Sequence, residues 1–185
     1  MRETGRRGGL LQWYENVVEL IDMRSFSNLW YWIALAVLWS SLSHWILGVP
    51  FDMVIRARRR GGQAAADLAD LVRIHVRRRM HIARAAGPWL VGFTALVLTT
   101  LGLLGFVYDV EFCQAVFLML APSALVGGMS IRLAARIEAE APEGEALCRL
   151  LARYRFWIQA IGVIAIFITS MWGMWRNLSL GVLGG

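Results

Sequence analysis

The sequence predicts an all-α membrane protein with four transmembrane helices, an amphipathic N-terminal helix and a basic amphipathic cytoplasmic helix. Apolar stretches recur at 29–49, 88–107, 112–131 and 156–175. Each has the roughly 20 residues a helix needs to cross a hydrocarbon core of about 30 Å. Arginine is concentrated between alternate pairs of these stretches, which is the asymmetry that orients a multi-span chain. Tryptophan and tyrosine gather at the ends of the stretches, where amphipathic rings settle at the headgroup level. A hydrophobic content of 58% and a mean hydropathy of +0.54 exclude an ordinary soluble domain.

Two parts follow: an external N-terminal segment over 1–28 and a single four-helix transmembrane domain over 29–185. In the first, Leu10, Trp13, Tyr14, Val17, Val18 and Ile21 recur at three- and four-residue spacing, with Glu15, Glu19 and Asp22 opposite. This predicts an amphipathic helix over 10–23. Its acidic face would be repelled by anionic lipid, so Trp13, Tyr14, Val17 and Ile21 suit a neighbouring subunit as well as a membrane surface. Ser25 to Asn28 supply a break and a cap. The apolar run beginning at 29 reads as a retained span, because no cleavable signal pattern precedes it.

The loop expected over 50–87 holds nine arginines, and the loop over 132–155 holds five. The hairpin Tyr108 to Glu111 has none and carries Asp109 and Glu111 as an exposed negative marker. Both Arg-rich loops therefore face the cytoplasm and both termini face the other side. Within the first loop, Arg56, Arg58, Arg59 and Arg60 form a short block before Gly61-Gly62. From Gln63 to Ala86, Leu68, Leu71, Val72, His75, Arg79 and Ile82 share one helical face, while Arg77 and Arg78 cover others. Against an anionic inner leaflet such arginines contribute up to ~1 kcal/mol each. The formal charge of +6, with all 19 basic residues arginine, is thus explained by loop charge that sets topology rather than by nucleic acid.

Inside the spans, polar groups are few. Ala36, Ser40, Ser43 and His44 form a small and polar stripe on span one. His44 is the only ionisable group well inside a span, so it is the candidate ligand for a haem or pigment. The alternative is a neutral imidazole bonded to a carbonyl or serine on a facing helix. Ala124 and Gly128 form a small-xxx-small pair beside Pro122 and predict close helix approach there. Gly48-x-x-Phe51-Asp52 and Gly105-x-x-Tyr108-Asp109 share a pattern that suits a helix C-terminus. His75 and His81 are six residues apart and do not share a helical face for a metal. Cys113 and Cys148 are expected to stay unpaired. No nucleophile and base fall at spacings that helices would bring together, so no catalytic residue is assigned and no enzyme is expected.

The run Asp22-Met23-Arg24-Ser25-Phe26-Ser27-Asn28-Leu29-Trp30-Tyr31-Trp32, with Ser43-His44-Trp45-Ile46-Leu47-Gly48-Val49-Pro50-Phe51-Asp52-Met53 and Phe106-Val107-Tyr108-Asp109-Val110-Glu111-Phe112, resembles a family of small inner-membrane proteins of Rhodobacter-type alphaproteobacteria. Members are commonly labelled as a component of the Suf iron–sulfur assembly complex. The resemblance implies a bacterial inner membrane and a partner complex, and carries no residue-level mechanism. With both termini periplasmic, the expectation is a non-catalytic accessory or assembly subunit of a respiratory or photosynthetic complex. Its partners would be other integral membrane subunits and lipids, including anionic inner-leaflet lipids, with no cofactor of its own. The alternative is a small transporter, channel or pigment-binding protein acting through His44.

Overall fold

The computed structural model describes Phe26 and the run from Leu29 to Leu183. The helix expected over 10–23, with Trp13, Tyr14, Val17 and Ile21, lies outside the described residues. The described residues are almost entirely helical: α1 (Leu29–His44), a two-stranded hairpin of β1 (Trp45–Ile46) and β2 (Val49–Pro50), α2 (Phe51–Arg60), α3 (Gly62–Gly102), a π-helical turn (Leu103–Val107), α4 (Glu111–Glu140) and α5 (Gly144–Leu183). Three helices are long and apolar enough to cross a membrane: α3 with its π turn, α4 and α5.

The stretch 29–49 differs from expectation. Its helix stops after 16 residues at His44, a length of about 24 Å. The remainder folds back, pairing Trp45 with Pro50 and Ile46 with Val49. Leu47 and Gly48 both take positive φ, 56° and 86°, as a two-residue hairpin turn that follows strand twist requires. Ile46, Leu47 and Val49 are fully buried, so apolar burial holds the non-glycine Leu47 in its costly conformation.

The two expected loops are helical nearly throughout. The basic amphipathic segment and the apolar stretch 88–107 belong to one 41-residue helix, α3, running through Gly87 and Pro88. Pro88 removes the hydrogen bond that its N–H would make to Arg84 C=O, and strong helix formers on the N-terminal side carry the helix through. The second loop shrinks to residues 141–143. Ala141 closes α4 in the left-handed conformation, its N–H donating to Ile137 C=O at 3.0 Å, and Pro142 prevents continuation.

A packed seam runs where α1 lies along α5. Trp39 is buried on Gly162, where an added Cβ would stand 2.8 Å from the indole, and Phe26 sits on Gly173. Moving from Phe26 to Trp39 on one side moves from Gly173 to Gly162 on the other, so α1 and α5 run antiparallel over the apolar part of α5. Tyr31, wholly buried, donates its hydroxyl to Ala115 C=O at 3.3 Å and ties both to α4. At the Arg-rich end, Cys148 Sγ lies 4.0 Å from Val54 C=O, and the Arg155 guanidinium stands 3.8 Å over the Phe51 ring. These contacts fix α2 against α5, partly by cation–π attraction.

Candidate functional site

Three places bring polar groups together, and each is set by helix geometry. The first is the end of the molecule near the α3–α4 hairpin. In the π turn the hydrogen bonds slip to five residues, Tyr108 N–H reaching Leu103 C=O at 3.2 Å, and Gly105 is driven against the start of α4. A Cβ there would lie 2.9 Å from Gln114 backbone nitrogen. Gln114 is buried, and its amide donates to Gly105 C=O at 2.7 Å and to Asp109 Oδ1 at 3.1 Å. Its carbonyl oxygen accepts from the Trp172 indole at 3.0 Å. Arg176 donates to the same Asp109 oxygen at 2.7 Å, and Glu111 Oε1 accepts from Phe26 N–H at 3.0 Å. Asp109 and Glu111 are therefore not a bare negative marker: Asp109 holds α5 through Arg176, and Glu111 holds Phe26. Gly105 works inside this network whereas Gly48 turns a hairpin, so the shared Gly-x-x-aromatic-Asp spelling serves two different structures.

The second place is the outer face of α1. Ala36, Ser40 and His44 are exposed and Ser43 is half-buried, while Tyr31, Leu35 and Trp39 point into the molecule. The polar stripe therefore faces away from the other helices. His44 packs edge-on against Trp45, with ring centroids 5.7 Å apart, and among the described residues it bonds no facing helix.

The third place lies between α3 and α4. Arg79 donates to Ser130 Oγ at 2.5 Å, and Arg84 pairs with Glu138 at 2.6 Å. A cleft of about 760 Å³ lies between the two helices toward the Arg-rich end. His75, Arg78 and Arg79 line one end of it, and Leu90, Val91 and Leu98 line the α3 wall. Ala124, Gly127 and Gly128 form the α4 side. Here the expected close approach fails. A Cβ on Gly128 would meet nothing within 4 Å, and the tight glycine contacts are instead at Gly48, Gly105, Gly162 and Gly173.

The remaining basic residues are spread over the surface. Arg56 pairs with Asp52 at 3.5 Å within α2, and Arg73 pairs with Asp70. Arg58, Arg59, Arg60 and Arg77 are exposed. His75 is held beside the hairpin turn, its Nδ1 only 2.7 Å from where a Gly48 Cβ would be. Both cysteines are free and buried. Cys148 precedes the apolar stretch of α5, and burial pushes its thiol up from the ordinary value, against the opposing pull of the Arg58 charge. Among the described residues no group of three His, Cys, Asp or Glu is placed to hold a metal ion.

The helical face containing His75, Arg79 and Ile82 and the pair Ala124/Gly128 were visible in the sequence, but not that they meet across one cleft. Arg176 and Trp172 gave no signal beyond a terminal interface position, and Gln114 stood only as one of several usable hydrogen-bonding side chains. Comparison with protein-family models, curated proteins and solved structures finds no match to this chain.

Proposed function

We propose that this protein is a non-catalytic integral membrane subunit, accessory to or assembling a larger inner-membrane complex, with four spans and both termini on the periplasmic side. The observation that carries the reading is the outward polar stripe of α1. Small and hydroxyl-bearing residues favour helix–helix contact in a membrane, and an ionisable side chain there faces protein or water rather than lipid. Among the described residues nothing covers Ala36, Ser40 and His44, and a second polypeptide is the economical neighbour. The long apolar helices add to this: only 6% of the residues in the most apolar window of α3 are buried.

The fourth span rests on how α1 is packed. Although α1 is short, it lies antiparallel along the apolar part of α5 from Gly173 to Gly162, the same depth that α5 would occupy in a bilayer. The arginine asymmetry supports the proposed orientation, and the resemblance of 22–32, 43–53 and 106–112 to the alphaproteobacterial family is the ground for proposing the inner membrane.

A photo-crosslinking side chain introduced at Ser40, compared with one at the buried Leu35, tests the partner reading in native membranes. The expected result is one discrete adduct to a different polypeptide from Ser40 and none from Leu35. Adducts to lipid alone at Ser40 would sink it. The exposure of His44 beside Trp45 also favours a second reading, in which the imidazole ligates a haem or pigment held at the partner boundary. His44→Leu would then abolish the bound chromophore's spectrum.

A further inference from the structure

We propose that the cleft between α3 and α4 is a binding site for one anionic phospholipid, its phosphate at Arg78 and Arg79 and an acyl chain along the cleft. The inference rests on the membrane reading above, with the Arg-rich end at the inner leaflet.

Shape and chemistry both point to an amphiphile. A volume of about 760 Å³ lies in the range of small-ligand sites. The lining is graded rather than mixed: His75, Arg78 and Arg79 stand at one end, and the walls beyond are apolar apart from Thr94. A partner helix would need apolar surface but would have no use for two guanidinium groups at one end. On the α4 side Gly127 and Gly128, between Ala124 and Ile131, are exposed with nothing within 4 Å of an added Cβ, which leaves room for a chain laid along the cleft. Lipids supply such chains in a bilayer.

The charge is uncompensated and pre-placed. No carboxylate lines the cleft, and Glu138, the acidic residue bonded to this part of α3, is taken by Arg84 at 2.6 Å. Arg79 is half-buried and steadied by Ser130, which accepts one of its five N–H groups and leaves the others to receive phosphate oxygens. Arg78 is exposed at the same end and makes no ion pair among the described residues. Basic clefts between transmembrane helices on the cytoplasmic side are a recurring chemistry for anionic headgroups. The exposed block Arg58, Arg59 and Arg60 on α2 carries more charge but has no cleft beside it, so it serves as the internal control.

The full-length protein, purified in mild detergent and titrated with phosphatidylglycerol or phosphatidylcholine of identical acyl chains, is read by native mass spectrometry. The expected result is one phosphatidylglycerol retained at least ~5-fold more readily than phosphatidylcholine, with no competition from millimolar inorganic phosphate. R78Q alone, and R78Q with R79Q, are expected to remove the preference, and G128L to reduce retention of both lipids by filling the cleft. The triple change R58Q, R59Q and R60Q is expected to leave the preference intact. Equal retention of the two lipids overturns the proposal, as does equal loss from the α2 triple variant. Displacement by phosphate assigns the site to a free anion instead. If R79Q fails to fold, R78Q and G128L still decide the matter. Release of the chain from membranes by alkaline carbonate overturns the membrane reading and the lipid site together, whereas an embedded chain with no headgroup preference overturns the lipid site alone.

Discussion

A Cβ at Gly48 would stand 2.7 Å from His75 Nδ1, in a residue whose φ is +86°. Two independent penalties therefore meet there, left-handed backbone strain and a clash with a ring held by α3. Gly61 separates them, because its φ is +60° but nothing lies within 4 Å of an added Cβ. Gly48→Ala should cost about 2–4 kcal/mol and Gly61→Ala about 1 kcal/mol, read from thermal unfolding in detergent. Equal losses would mean that the Gly48–His75 approach does not exist. The sequence marked Gly48 only as a relaxed helix end. The approach of His75, 27 positions away, follows from the hairpin, which has no Asn-Gly or alternating pattern long enough to be recognised.

At the scale of elements, Gln114 is the tie among the ends of α3, α4 and α5. Gln114→Leu keeps the volume but strips Gly105 C=O and the Trp172 N–H of their buried partner. It should destabilise by about 2–3 kcal/mol, because an orphaned buried polar group costs its desolvation. Asp109→Asn should cost less, about 1 kcal/mol, since an Asn Oδ1 still accepts from Gln114 and Arg176 although the 12%-exposed Arg176 side chain loses this countercharge. Denaturant titration of the two variants checks the order, and a reversed order would contradict the network. The helices themselves were legible as separate pieces. The period of Leu68, Leu71, Val72 and His75 and the apolar run after Pro88 each announced a helix, but Gly87-Pro88 read as a boundary that α3 passes through. A proline forfeits one hydrogen bond, and the turns on either side outweigh it. The direction of the α1 stripe was not legible at all. Which face of an apolar helix turns inward depends on what it meets, and Trp39 seated on Gly162 decides this by tertiary fit.

For the whole molecule, the arginine pattern and the apolar lengths carried the class, and helix packing supplies what they lacked. With α1 antiparallel to α5 at the depth of its apolar part, a periplasmic-active reporter fused after Gly185 should be active and a cytoplasmic-active one silent. The reverse would overturn the orientation. We propose that this chain completes its surface on another subunit, through the outward face carrying Ala36, Ser40 and His44. Native mass measurement of the protein released from its own membrane in mild detergent, at its natural level of expression, tests that claim most directly. The expected result is a stoichiometric assembly with at least one different polypeptide, from which Ser40→Trp dissociates this chain without unfolding it. A lone chain, or multiples of this chain only, with Ser40→Trp indistinguishable from the unaltered protein, would contradict it.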